Sequence, residues 1–199
     1  MPPLVPEITL HLAGDIFDLW ERTEHDASRA ELPPPFWAFP WAGGQALARY
    51  LLDHPEHVAG RAVLDLAAGS GLVAIAAAKA GAAAVTPSET DPLAFTAIEL
   101  NSEANGVTLE ATLGDVLGGA AAGNDLVLVG DAFYERAMAE RLLPFLERAR
   151  ASGAVVLVGD PGRAYLPRDR FEAVARYDVP VSRALEDADV KRTTVWRLP

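Results

Sequence analysis

The nine residues VLDLAAGSG, Val63 to Gly71, decide how this chain is read. Together with Ala62, the residues up to Leu66 read as a buried strand, Gly69 to Gly71 as a tight turn, and Leu72 to Ala80 as a helix of small residues that stops at Gly81. Asp65 puts a carboxylate near the end of an otherwise apolar strand, and the glycines after it let the backbone turn sharply beside a ligand. Outward from this unit the alternation continues. Ala84–Ser88 reads as strand, Asp91–Ala104 as helix, Thr108–Leu113 as a short strand closed by Gly114, Asp125–Gly130 as strand, Met138–Ala151 as helix and Ala154–Gly159 as strand. The pattern then changes: Phe171–Val174 reads as a short helical piece, and Arg176–Val181 with Thr193–Leu198 as a strand pair. Such alternation predicts an α/β domain with a mainly parallel sheet, helices on both faces and an antiparallel C-terminal edge hairpin.

Upstream, residues 14–29 place Asp15 as a helix N-cap and Ile16, Leu19, Trp20 and Thr23 at helical spacing. Pro33, Pro34 and Pro35 stop that helix, and PFWAFPWAGG follows as an extended, aromatic path that is either core or pocket wall. Gln45–Leu52 is helical again, ending near Asp53 to Pro55. The expectation is one domain over residues 1–199, with 1–32 an N-terminal helical extension or lid on the substrate side.

The 199 residues carry 17 Lys and Arg against 28 Asp and Glu, a formal charge of −11, which argues against nucleic acid as a partner. Half the residues are hydrophobic, as in a globular chain. There is no cysteine, hence no thiolate nucleophile, disulfide or Cys-ligated metal, and a reducing cytoplasm is the expected compartment. The N-terminal MPPLVPEITLHLAGD lacks the basic start and apolar run of a signal peptide, and Asp65, Lys79 and the turn residues interrupt the most apolar stretch, so no membrane association is expected. His11, His25, His54 and His57 show no ligand spacing, and no metal is assigned. A monomer is expected.

Gly69, Gly71 and Ala74 also satisfy G-x-G-x-x-G/A, with Glu89 about 20 residues on, as in dinucleotide folds. Asp65 opposes that reading, because a pyrophosphate is repelled there, whereas the amino group and sulfonium of S-adenosylmethionine are not. DLAAGSG resembles the first motif of class I methyltransferases, D/E-x-G-x-G-x-G, with Ala67 in the first glycine position. The resemblance implies a Rossmann-like, seven-stranded class I methyltransferase fold. It also assigns roles: Glu89, with Thr90 beside it, to the ribose hydroxyls, with Asp91 as competitor or helix cap, and Asp115 and Val116 to the adenine, the other reading of Asp115 being a surface-loop aspartate. Gly130-Asp131-Ala132-Phe133-Tyr134 follows the fourth strand, at the catalytic edge. A carboxylate with two aromatics suits an amine: Asp131 to accept its hydrogen bond or proton, Phe133 and Tyr134 to favour a methylammonium by cation–π contact. The other reading makes Asp131 a helix cap and the rings core.

PFWAFPWAGGQALARYLLDHP, VLDLAAGSG, SETDP, GDAFY and GDPGR together, with TTVW near the end, resemble the lysine methyltransferase family of the electron transfer flavoprotein β subunit. That resemblance implies methyl transfer from S-adenosylmethionine to protein lysine, on the flavoprotein β subunit or a ribosomal stalk protein. It makes Asp131, Phe133 and Tyr134 the substrate-side motif and puts Trp41 and Gly44 beside the cofactor, with Asp65, Ala67, Gly69 and Gly71. Arg163 is left with two readings, a contact to an acidic group of the substrate or part of a plain turn. The alternatives are a small-molecule amine methyltransferase and a nicotinamide-dependent oxidoreductase.

Overall fold

The computed structural model describes residues 1–12, 35–120 and 123–199. The helix expected over residues 14–29, and with it the lid, lies outside the described residues. Seven strands, β1 (Ala62–Leu66), β2 (Ala84–Glu89), β3 (Thr112–Leu113), β4 (Leu126–Gly130), β5 (Val155–Asp160), β6 (Glu172–Pro180) and β7 (Val190–Arg197), form one sheet in the order β3-β2-β1-β4-β5-β7-β6. Strands β1 to β5 are parallel, while β7 lies antiparallel between β5 and β6. Around it stand α1 (Ala42–Asp53), α2 (Leu72–Lys79), α3 (Pro92–Ala104), α4 (Arg136–Ala151) and the one-turn α5 (Arg183–Glu186). Among the described residues no helix is long and apolar enough to cross a membrane.

The period-two geometry of a strand splits the core in two. Leu126 and Leu128 of β4 face α1 and α2, packing with Leu47, Leu51, Val73 and Ile75. Val127 and Val129 face the other way, with Val156 and Val158 of β5, onto Leu142, Phe145 and Leu146 of α4. Strands buried on both faces read as continuous apolar runs, which is why DLVLVG and AVVLVG are legible. Each such side chain contributes about 1.5–3 kcal/mol when fully buried.

Two expectations are corrected. Thr108–Leu113 pairs only over Thr112 and Leu113. Phe171–Val174 is not helical: a single 3₁₀ turn occupies Arg168–Arg170, and β6 begins at Glu172. From Ala175 the strand alternates, with Arg176 and Asp178 exposed while Val179 is buried, and pairing with β7 across a bulge between Ala173 and Ala175 overrides the weak local helical pattern.

Sheet order reverses between β1 and β4, so their following loops diverge and open a crevice at the carboxyl edge. Helix α1 lies directly over the ends of β4 and β5. Glycines permit that approach: a Cβ on Gly43 would overlap the Gly159 carbonyl oxygen and stand 2.8 Å from both N and Cβ of Asp131, and one on Gly130 would stand 3.0 Å from the Gly44 Cα.

Candidate active site

The turn after β1 is built under strain. Ala67 holds φ at +51°, a left-handed conformation that costs an L-residue about 1–2 kcal/mol, where the family pattern has glycine. Gly71, at φ +79°, then starts α2. From outside, the buried Asn101 donates to the Ser70 carbonyl at 2.8 Å and holds the loop in place. Behind it Asp65 Oδ2 accepts from the Ala74 N–H in the first turn of α2, at 3.0 Å. Its Oδ1 is buried without a partner among the described residues. Burial pushes the carboxyl up to about 8, against the Ala74 hydrogen bond and with a smaller push from Glu89. Asp65 borders a small cleft shared with Trp41, Gly44, Ala67, Gly69 and Gly130, so an unpaired acceptor stands where a cationic donor fits.

Glu89 ends β2 across the turn. Its Oε1 accepts from Gly69 N at 2.8 Å and its Oε2 from Thr90 N at 2.9 Å, and each oxygen retains capacity for a further donor. Burial raises its pKa, and these backbone hydrogen bonds oppose the rise. Asp91 is the N-cap of α3, accepting from Leu93 N at 2.8 Å, so the capping role falls to it, while both it and Glu89 border the cavity.

A main cavity of about 490 Å³ joins Glu89, Thr90 and Asp91 to Trp41, Asp131, Tyr134 and Arg163, with Phe36, Trp37 and Met138 as apolar wall. Trp41 opens α1, its indole N–H donating to the Phe36 carbonyl at 2.7 Å. Phe36 and Tyr134, 40% and 47% exposed, meet with ring centroids 5.3 Å apart at the mouth. Asp131 has φ +64° and does not cap the helix that follows it: Oδ2 accepts from Gly43 N, in the first turn of α1, at 2.9 Å, and Arg163 donates to both of its oxygens. Arg163 thus points inward, and its turn is formed as well, with Asp160 Oδ1 accepting from the N–H groups of Gly162 and Arg163.

The structure therefore gathers Trp41, Ala67, Gly69, Glu89, Thr90, Asp131 and Tyr134 on one cavity and Asp65 and Gly44 on the adjoining cleft. Four expected residues stand elsewhere. Phe133 is fully buried, edge-on to Phe171 at 6.3 Å, and belongs to the core. Asp115 is turned outward to Arg141 and to the Leu117 N–H, and Val116 packs against the α4 side of the core. Gly71 shapes the turn from outside the lining, where a Cβ would crowd Ile98 at 3.3 Å. Sequence reasoning missed Trp37 and Met138, although Trp37 lies inside an aromatic-glycine run already singled out, and Gly43 of the same run donates to Asp131. The histidines give one surprise: His54, Glu56 and His57 bring ligand atoms within 4.8 Å of one another, but exposed and outside the cavity lining.

The family pattern described as ribosomal protein L11 methyltransferase (PrmA) matches residues 46–129. A Danio rerio protein named electron transfer flavoprotein beta subunit lysine methyltransferase is 40% identical over 200 residues, covering 98% of this chain and 76% of its own length. The Homo sapiens protein of the same name is 37% identical over 202 residues, covering 97% and 75%. In fold the chain is similar to the Pyrococcus abyssi tRNA (uracil-54, C5)-methyltransferase solved with S-adenosyl-L-homocysteine, with a TM-score of 0.56 at 23% identity over 76% of this chain and 38% of that one.

Proposed function

The chain belongs to the electron transfer flavoprotein β-subunit lysine methyltransferase family, and on that premise we propose that it methylates lysine side chains of the flavoprotein β subunit, using S-adenosylmethionine. The observation that carries the reading is the placement of Asp65 and Glu89 on either side of one glycine turn, with Asp131 and Tyr134 facing the same space from β4. When bound, S-adenosylmethionine would supply an electrophilic sulfonium methyl, whose carbon bonds to an amine nitrogen as its bond to sulfur breaks and S-adenosylhomocysteine leaves. Asp65, through its unpartnered Oδ1, accepts from the ammonium of the methionine end, and Glu89 accepts from the ribose hydroxyls. Gly69 and Gly44 let the backbone come close, and Trp41 flanks the ligand.

On the acceptor side a lysine, with an ordinary pKa of about 10.4, must lose its proton before it can attack. The aromatic walls of Phe36, Trp41 and Tyr134 disfavour the hydrated ammonium, and Asp131 accepts a hydrogen bond that aims the amine. Displacement at a sulfonium needs little acid–base assistance, so positioning dominates. The open mouth at Phe36 and Tyr134 suits a side chain presented by a protein. A ribosomal protein is a second proposed acceptor, because the pattern matched over residues 46–129 is described as that of a ribosomal protein L11 methyltransferase. The cytoplasm and a monomeric state complete the proposal.

Thermal unfolding with S-adenosylhomocysteine against NAD tests the cofactor. At 100 times its dissociation constant the former raises Tm by about 5–10 °C for a chain of this size. Stabilisation by NAD alone would overturn the reading of Asp65.

A further inference from the structure

Resting on the methyl-transfer reading above, we infer that Arg163 is a positioning residue of the reaction: its guanidinium fixes the Asp131 carboxylate and the Trp41 ring so that Asp131 offers the incoming amine a single free acceptor position. Arg163 Nε donates to Asp131 Oδ1 at 2.6 Å and Nη2 to Oδ2 at 3.1 Å, a forked contact that an ammonium cannot reproduce. The same Nη2 donates to Glu186 Oε1 at 3.0 Å, and the guanidinium carbon lies 5.8 Å from the Trp41 ring centre.

The two carboxylates so joined are buried, with side chains 1% and 3% exposed, and without Arg163 the charge of Asp131 is uncompensated. Glu186 keeps a second partner, Lys191, at 3.7 Å. A carboxylate offers about four lone-pair positions. Gly43 N–H and the two guanidinium donors occupy three on Asp131, which leaves one, on Oδ1. The strained backbone of Asp131, at φ +64°, is held by the same bonds. Arg163 itself is positioned by the turn after β5, where Asp160 Oδ1 accepts from its N–H at 2.8 Å. Buried ends, forked geometry and a shared aromatic neighbour distinguish this array from an ordinary surface ion pair.

The test is a double-mutant cycle of methyl transfer with Asp131→Ala, Arg163→Ala and the double variant, alongside S-adenosylhomocysteine binding. Arg163→Ala is expected to lower kcat about 100-fold, the loss that misplacement by an ångström brings. Its affinity for S-adenosylhomocysteine is expected to fall far less than kcat, through the Trp41 contact alone. The double variant is expected to be no slower than Asp131→Ala alone, since Arg163 acts through Asp131. Added guanidinium is expected to restore part of the Arg163→Ala rate and none of the Asp131→Ala rate. Multiplicative losses in the double variant, wild-type kcat in Arg163→Ala, or parallel loss of binding and transfer would each overturn the assignment. Should Arg163→Ala fail to fold, Arg163→Lys carries the cycle, with kcat expected at least about 10-fold below the wild type's because an ammonium cannot reproduce the forked contact. A wild-type enzyme that labels no acceptor contradicts the proposed function instead. The Arg163 Nε–H resonance then decides: shifted and exchange-protected in the wild type but not in Asp131→Asn supports the assignment, and an exchanging, unshifted signal overturns it.

Discussion

Replacing Gly43 by alanine adds one methyl group where α1 lies against the ends of β4 and β5. The new Cβ would overlap the Gly159 carbonyl oxygen and stand 2.8 Å from Asp131 N and Cβ, both fixed in the sheet and the loop after it. Helix α1 has to lift by on the order of an ångström, an overpacking that costs about 1–3 kcal/mol. For a chain of this length that lowers Tm by about 2–12 °C. The same lift stretches the 2.9 Å bond from Gly43 N–H to Asp131 and moves Trp41, so kcat also falls, by about 100-fold. The neighbouring Gly44 is the control. A Cβ there meets Leu72 and Val73 at 3.9 Å, ordinary contact, so Gly44→Ala keeps wild-type stability or gains up to about 1 kcal/mol from helix propensity. Thermal and urea unfolding of the two variants checks the ranking, and methyl transfer checks the coupling to the site. Equal stability of Gly43→Ala and Gly44→Ala would refute the reasoning.

Three further outcomes follow from the same geometry. Ala67→Gly relieves a left-handed alanine and is expected to raise stability by about 1 kcal/mol in urea unfolding, a gain whose absence would show that the turn is unstrained. For Asp65, the unfolded carboxyl titrates near 3.8 and the folded one near about 8, so the folded state holds a proton that the unfolded state releases. Its contribution is therefore complete below about pH 4 and is lost as pH rises through about 8, amounting to about 2–3 kcal/mol between pH 5 and 7. Asp65→Asn is expected to remove this decline from the pH profile of unfolding, and parallel profiles would contradict it. In the aromatic pair, Phe133→Ala is expected to cost about 3–5 kcal/mol as a core cavity. Tyr134→Ala, by contrast, should change stability by less than about 1 kcal/mol yet lower methyl transfer, and the reverse ranking would exchange their roles.

Residues buried on both faces of a parallel strand announce themselves, so β1, β4 and β5 are legible from apolar runs, and Gly69 and Gly71 mark the turn between strand and helix. Glu89 is legible because the end of β2 lies beside that turn in any such fold. What stays hidden is direction. Nothing in GDAFY says that Phe133 turns into the core while Tyr134 turns to the cavity, because the φ of +64° at Asp131 reorients the segment. Likewise GDPGR reads equally well as a turn or a contact, and Arg163 reaches Asp131 across 32 residues of sequence. Phe171–Val174 misleads because edge-strand pairing with β7, a long-range interaction, outweighs local pattern.

The central claim is protein-lysine methylation, and transfer of a labelled methyl group from S-adenosylmethionine to purified electron transfer flavoprotein tests it most directly, with Asp131→Ala as control and labelled lysate alongside. The expected result is label on lysine of the β subunit, abolished in the variant. Protein left unlabelled, in flavoprotein and lysate alike, by an enzyme that binds S-adenosylhomocysteine tightly would contradict it and point to a small-molecule amine as acceptor.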